Sequence, residues 1–266
     1  MSQQVEQLFD NLWEDYITLT PSAAKVHEVL GKGKAIINDH VAFRTFNLAP
    51  VRLQALADHF EKLGYLANGD YEFKEKKLVA KHYEHPNPEM PKVFISELLV
   101  EAFSPELQAI VQKMVANIPA EAVTADDFLY SGTHWQVTKA EYELLLEESE
   151  YAAWMSAFGF RANHFTVSVN YLPNFETLEQ VNQKLKDEGF RLNSAGGEIK
   201  GSPEVYLEQS STMADRYPVA FADGKMEIPS CFYEFAKRYE LAPGKLYTGF
   251  VAASADKIFE STNARG

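Results

Sequence analysis

One pattern constrains this chain more than any other: a strand that opens on a histidine and runs into a single amphipathic helix occurs twice. Asn38-Asp39-His40-Val41-Ala42-Phe43-Arg44-Thr45-Phe46 leads to a helix through Leu53, Leu56, Ala57, Phe60 and Leu63 that stops at Gly64-Tyr65. Asn163-His164-Phe165-Thr166-Val167-Ser168-Val169-Asn170 leads to a helix through Phe175, Leu178, Val181 and Leu185 that stops at Gly189-Phe190. The interval from His40 to Gly64 nearly equals that from His164 to Gly189. Such a duplication predicts two similar modules, each sending one histidine into a shared pocket.

The rest of the pattern extends the repeat. Helical spacing covers Val5 to Val29, broken at Pro21 and followed by a short second helix through Val26 and Leu30. After the first repeat helix, Tyr71–Phe73, Leu78–Tyr83 and Val93–Val100 read as strands. Ser104-Pro105-Glu106 has a cap residue followed by proline at the first helical position, and starts a helix through Val115. Lys139 to Ala157 reads as a second helical stretch. The second module repeats the order: a strand from His164, a helix to Gly189, a turn at Gly196-Gly197, a strand near Val205–Leu207 and a last strand Ile228–Ala236. The expected class is α+β: two strand-helix-three-strand modules forming a curved sheet or half-barrel, with added helices at the N-terminus and between the modules. One domain over 1–266 is expected, with a helical cap (1–35), first module (36–102), helical insertion (103–160), second module (161–240) and a C-terminal segment (241–266) that completes the pocket.

Composition narrows the function. The chain has 266 residues, 46% of them hydrophobic, enough to bury a substantial core. A net charge of −13 argues against nucleic acid, because no basic stripe is present to displace counterions from phosphates. No apolar run approaches the roughly 20 residues of a membrane span, and the opening MSQQVEQLFDNLW lacks the order of a secretory leader. A cytoplasmic protein with a small-molecule partner is expected. With Cys231 as the only cysteine, no internal disulfide or cysteine cluster is available, so a metal must be held by His, Asp or Glu.

Alternation along a strand places His40, Ala42, Arg44 and Phe46 on one face, and His164, Thr166, Ser168 and Asn170 on the matching face of the second copy. The histidine face is the more polar one in both copies, as befits a wet cavity. A single strand histidine is commonly a hydrogen-bonded structural residue; the matched positions point to a pair of ligands. Two histidines and a carboxylate make the facial triad of non-haem Fe(II) sites. Glu234, among Phe232, Tyr233 and Phe235, is a candidate third ligand, since an uncompensated carboxylate there is costly to bury; an ion pair with Lys237 or Arg238 is the alternative, and Glu208 competes for the ligand role. Arg44, about 13 Å along the strand from His40, is suited to clamping a remote carboxylate with its planar fork, or to a structural salt bridge. His82 and His85 turn to opposite faces at their spacing. Gly31-Lys32-Gly33-Lys34 lacks the context of a phosphate loop, and Cys231 faces away from Glu234.

Five blocks, in order, resemble the 2-oxoadipate dioxygenase/decarboxylases, a family of the vicinal-oxygen-chelate superfamily long catalogued as a domain of unknown function. They are His40-Val-Ala-Phe-Arg44, Asn163-His164-Phe-Thr, Leu207-Glu-Gln209-Ser-Ser, Phe232-Tyr-Glu234-Phe-Ala-Lys-Arg238 and Val251-Ala-Ala-Ser-Ala-Asp-Lys-Ile-Phe259. The Phe-x-Glu block also resembles the last iron-ligand block of 4-hydroxyphenylpyruvate dioxygenases. The resemblance implies Fe(2+) held by His40, His164 and Glu234 rather than Glu208, with Arg44 and Val251 contacting substrate. It implies that 2-oxoadipate and dioxygen give 2-hydroxyglutarate and carbon dioxide, a step of lysine catabolism. The better-studied members carry a long helical insertion between the Glu234 and Val251 blocks; this chain has little there, which bears on substrate identity more than on metal binding. A glyoxalase-like metal-dependent isomerase or lyase, and a non-catalytic small-ligand binder, are the competing readings, separated by oxygen uptake and by metal content.

Overall fold

The computed structural model describes residues 2–262. Two helices, α1 (Ser2–Leu19) and α2 (Pro21–Gly31), precede the first module, β1 (Asn38–Phe46), α3 (Leu53–Glu61), β2 (Leu66–Phe73), β3 (Leu78–Glu84) and β4 (Lys92–Leu98). Three helices follow, α4 (Pro105–Ala116), α5 (Lys139–Glu148) and α6 (Glu150–Phe158). The second module comprises β5 (Ala162–Ser168), α7 (Leu178–Asp187), β6 (Lys200–Ser202), β7 (Leu207–Ser211), the hairpin β8 (Arg216–Phe221) and β9 (Gly224–Pro229), and β10 (Phe232–Arg238). A small hairpin, β11 (Glu240–Ala242) and β12 (Lys245–Leu246), leads to α8 (Ala252–Ile258).

The expected half-barrel is present. Eight strands form one mixed sheet in the order β2-β3-β4-β1-β5-β10-β7-β6. Each module repeats one plan: the histidine strand lies beside the module's last strand in parallel, β1 with β4 and β5 with β10. The modules join where β1 and β5 pair antiparallel, with Ala42 opposite His164 and His40 opposite Thr166. The two histidine strands are therefore central, and their flanking strands curl away on both sides.

The two faces of the central strands have different partners. On one, Phe43 meets Phe60 of α3 with ring centroids 5.4 Å apart, and Phe165 packs against Trp13 and Tyr16 of α1. The apolar stripes of α3 (Leu53, Leu56, Ala57, Phe60) and α7 (Leu178, Val181, Leu185) are buried, as the helical periodicity requires. The start of α7 is fixed by a capping box, in which Thr177 and Gln180 satisfy each other's backbone N–H groups.

Three expectations need correction. The stretch Lys139–Ala157 is two helices, because Ser149 ends α5 and caps α6, its hydroxyl accepting from the Ala152 N–H. The strand expected near Val205–Leu207 starts only at Leu207: Pro203–Val205 forms a 3-10 turn and Tyr206 takes a left-handed conformation at φ 63°. The strand expected over Ile228–Ala236 is interrupted at Ser230-Cys231. Its first two residues close the β8–β9 hairpin, which stands apart from the main sheet, and the remainder forms β10. No described helix is long and apolar enough to cross a membrane.

Candidate metal centre

The sheet register assembles the site. His40 on β1 lies opposite Thr166 on β5, and Thr166 lies beside Glu234 on β10, so one row across three strands carries imidazole, hydroxyl and carboxylate. His164 stands two residues before Thr166 on the same face. One ligand atom from each of His40, His164 and Glu234 lies within 4.8 Å of the others, and all three residues are buried. Among the described residues no other group of His, Cys, Asp and Glu converges in this way.

Hydrogen bonding fixes the direction of each imidazole. His40 Nδ1 lies 2.8 Å from Asp39 Oδ2, and His164 Nδ1 lies 3.0 Å from Asn163 Oδ1. Both partners are acceptors, so each Nδ1 carries the proton and each Nε2 presents a lone pair. Those Nε2 atoms face the Glu234 carboxylate at 3.6 Å from His40 and 3.1 Å from His164. The Thr166 hydroxyl, 3.0 Å from His40 Nε2, donates to that nitrogen. Burial lowers the His164 pKa, a shift that the neighbouring Glu234 carboxylate only partly reverses. Burial alone raises that of Glu234, but the two imidazoles beside it and the hydrogen bond donated by Gln209 outweigh it, and the net shift is downward. Two imidazole nitrogens and a carboxylate oxygen turned toward one another form a donor set that a cation between them would bind. The donor set of two nitrogens and one carboxylate fits a divalent transition metal, and Asp39 and Asn163 are the outer partners that such histidines require.

Asp39 and Asn163 escaped strand alternation for a specific reason. The β1–β5 register slips by one residue at each of them: Asn38 pairs Val167 and His40 pairs Thr166, while Ala42 pairs His164 and Phe43 pairs Ala162. Each is the unpaired residue of a bulge, and a bulge re-aims a side chain that strict alternation sends to the other face. The sequence signal was an acidic or amide residue directly before each duplicated histidine.

The modules then diverge. Ala42, two residues after His40, pairs Phe94, just as Thr166, two after His164, pairs Glu234. Phe94 thus occupies the first-module position of Glu234, leaving an apolar wall where a fourth ligand would stand. Gln209 Nε2 donates to Glu234 Oε1 at 2.6 Å. Glu208, the competing carboxylate, accepts from the Tyr239 hydroxyl and lies outside the cluster. Among the described residues neither alternative partner, Lys237 or Arg238, forms an ion pair with Glu234, and Arg238 is committed to Asp39. His82 is held between Tyr71 and Glu84, and His85 accepts from the Asn87 N–H, so the two do not converge.

A narrow recess of about 30 Å³ borders the triad, walled by Phe94, Phe250, Arg44 and, from the C-terminal segment, Ala255, Ile258 and Phe259. Arg44 is buried; its Nη1 donates to Glu150 at 3.1 Å and its Nη2 to Thr262 at 3.2 Å. The rings of Tyr151, Trp154 and Phe259 surround the guanidinium. Val251, the residue before α8, is half-buried and does not line this recess; its neighbour Phe250 does, with its ring edge-on to His40 at 4.8 Å. Phe250 was not singled out from the sequence.

Comparison with known proteins places this geometry in a family. Residues 3–245 match the sequence profile of 2-oxoadipate dioxygenase/decarboxylase. The chain is 35% identical to the chloroplastic/amyloplastic 2-oxoadipate dioxygenase/decarboxylase of Oryza sativa, over 96% of this chain and 78% of that protein. A crystal structure from Shewanella frigidimarina, of a protein described as a possible hydrolase, is 64% identical with a TM-score of 0.91, covering 94% of this chain and 98% of that one. The Oryza sativa hydroxyglutarate synthase, crystallised with 2-oxoadipate, is 33% identical with a TM-score of 0.89, covering 97% of this chain and 92% of that one. The chain belongs to the 2-oxoadipate dioxygenase/decarboxylase family and is an oxidoreductase of that type.

Proposed function

We propose that this protein is an Fe(II)-dependent oxygenase that converts a 2-oxo dicarboxylic acid, 2-oxoadipate, to 2-hydroxyglutarate and carbon dioxide in lysine catabolism. The observation that carries this reading is the convergence of His40 Nε2, His164 Nε2 and the Glu234 carboxylate in one buried cluster, with both Nδ1 positions already engaged. The substrate class is supported by the rice relative, whose crystal structure holds 2-oxoadipate. The reaction balances without another reductant: C1 leaves as carbon dioxide, one oxygen atom enters the new carboxylate at C2, and the other becomes the hydroxyl at C3. A ferrous ion supplies the electrons that activate dioxygen and a site where both reactants meet.

The chain's own residues do the rest. His40, His164 and Glu234 would hold the metal, and Phe94, at the first-module position that matches Glu234, adds no further ligand. Asp39, Asn163 and Gln209 lock the ligands in orientation. Arg44, in the wall of the recess, pairs with the far carboxylate and sets which carbon lies nearest the metal. Val251, beside that wall, adjoins the substrate chain through Phe250. The apolar rings around the recess exclude bulk water.

The test is to load the protein with Fe(II) anaerobically, add 2-oxo acids of different length and terminal group, and then admit oxygen. Equal consumption of oxygen and release of carbon dioxide, with a 2-hydroxy dicarboxylate as product, is expected for 2-oxoadipate. Metal-dependent conversion without oxygen uptake would replace this reading with an isomerase or lyase, and the absence of both metal and turnover with a simple binder.

A further inference from the structure

The two histidine partners occupy equivalent bulges but are not equally satisfied. Asp39 uses both carboxylate oxygens: Oδ2 takes His40 Nδ1, and Arg238 reaches Oδ1 and Oδ2. Asn163 uses one end only. Its Oδ1 takes His164 Nδ1, while its Nδ2 has no hydrogen-bond partner among the described residues, although the side chain is buried at 1% exposure. The amide orientation follows from the network, since an imidazole N–H needs the oxygen and the nitrogen must lie at the other end. A buried donor left unmatched is costly, and native structures rarely leave one without a purpose.

The location of this donor supplies the purpose. Asn163 lines the recess beside the triad, and two other residues of that wall also carry unmatched buried polar atoms, Arg44 Nε and Gln209 Oε1. The recess is thus bordered by unused hydrogen-bonding capacity at its metal-proximal end, from Asn163 and Gln209, and in its wall at Arg44. A 2-oxo acid carries only acceptors once its carboxyl groups are ionised. Of the two amides at the metal end, only Asn163 offers such a ligand a donor; Gln209 Oε1 is an acceptor and is left for a water or a hydroxyl.

We infer that Asn163 is a substrate-binding residue as well as the partner of His164: its Nδ2 donates to an oxygen of the 1-carboxylate or 2-oxo group at the metal-bound end of the 2-oxo acid. This rests on the proposed function. The duplicated position has diverged accordingly, an aspartate closed by arginine in the first module and an asparagine with one donor kept for the ligand in the second.

Asn163→Asp tests the assignment, because it preserves an oxygen for His164 Nδ1 and replaces the donor by an acceptor; it has no counterpart of Arg238, so the labelled-asparagine measurement below is made in parallel to separate loss of the donor from the added charge. Protein loaded with Mn(II) is titrated with 2-oxoadipate by calorimetry in the absence of oxygen, which prevents turnover. The expected result is Mn(II) affinity close to that of the unaltered protein and 2-oxoadipate affinity weaker by roughly tenfold or more. Equal 2-oxoadipate affinity in the two proteins overturns the inference. If the unaltered, Mn(II)-loaded protein binds no 2-oxo acid, the proposed function itself fails. Should N163D not fold or not hold metal, the unaltered Zn(II)-loaded protein, labelled with 15N-asparagine, decides: the Asn163 side-chain NH2 resonances shift on adding 2-oxoadipate if it donates to the ligand, and unmoved resonances reject the assignment.

Discussion

Arg238 grips Asp39 through two contacts, Nε to Oδ1 at 2.7 Å and Nη2 to Oδ2 at 2.9 Å, with both side chains only 3% exposed. The same guanidinium donates from Nη1 to the carbonyls of Tyr247 and Gly249, next to Phe250. One buried ion pair therefore ties β10 to β1, orients His40 and anchors the segment that leads into α8.

Removing Arg238 leaves the Asp39 charge buried and unpaired, so Arg238→Met is expected to destabilise the fold by about 3–5 kcal/mol, read by urea denaturation. The double variant Asp39→Asn/Arg238→Met recovers part of that loss. Burial alone raises the Asp39 pKa, but Arg238 and Lys92 and the hydrogen bonds from His40 and Arg238 outweigh it and hold the group well below the usual carboxylate range. The stabilisation is thus present above the ordinary Asp value and declines as pH falls below it towards the folded-state pKa. Asp39→Asn removes this part of the acid dependence; an unchanged acid limb would show that the pair contributes nothing there.

Glu234→Ala removes the only carboxylate of the cluster. The expected result, measured by metal analysis after dialysis, is loss of stoichiometric Fe(II) or Mn(II) and of turnover. The effect should exceed the roughly 10–100-fold cost of losing an outer hydrogen-bond partner. Glu208→Ala is the matched control and leaves metal content unchanged, because its carboxylate is engaged by Tyr239 on the edge side of the sheet. Stoichiometric metal retained in Glu234→Ala would reject its role.

His27 titrates apart from the site. It is stacked on Trp13 with centroids 4.3 Å apart, shares a hydrogen bond of 2.6 Å with Tyr233, and burial lowers its pKa to about 4. Between its unfolded value near 6.5 and about 4 the unfolded chain holds more protons at this residue, so stability is complete above that interval and is lost as pH falls through it. His27→Phe keeps the stack and removes the titration. The difference in unfolding free energy between the two proteins should change by on the order of 2 kcal/mol from pH 7 to pH 4; a difference independent of pH would refute the assignment.

The duplicated histidine strands, the helix after each and the acidic residue late in the second module were all legible in the sequence, because they depend on local periodicity and on repetition. What was missed depends on contacts between distant segments. Asp39 and Asn163 reach the histidine face only through bulges created by β1–β5 pairing, and no single strand's alternation contains that slip. The interruption at Ser230-Cys231 was hidden because Ile228 to Ala236 is continuously strand-like; Ser230 instead donates to the Leu19 carbonyl, and the chain changes partner there. Phe250 entered the recess because Arg238 and the Tyr71 hydroxyl pin the segment around it, a contact spanning 179 positions in the case of Tyr71.

Arg44 offers the sharpest test of substrate selection. Its guanidinium is buried and held by Glu150, Thr262 and three rings, so its position is set before any ligand enters. A preorganised fork of this kind favours a terminal carboxylate over an alkyl end. The unaltered enzyme is expected to prefer 2-oxoadipate over 2-oxohexanoate, which lacks only the far carboxylate. Arg44→Met should lower kcat/KM for 2-oxoadipate by roughly a hundredfold, about 2.7 kcal/mol, while changing that for 2-oxohexanoate little. Metal content measured on the same samples separates this effect from a disturbed centre. If Arg44→Met lowers both substrates equally with metal retained, the residue serves as a structural partner of Glu150 and the far carboxylate is read elsewhere.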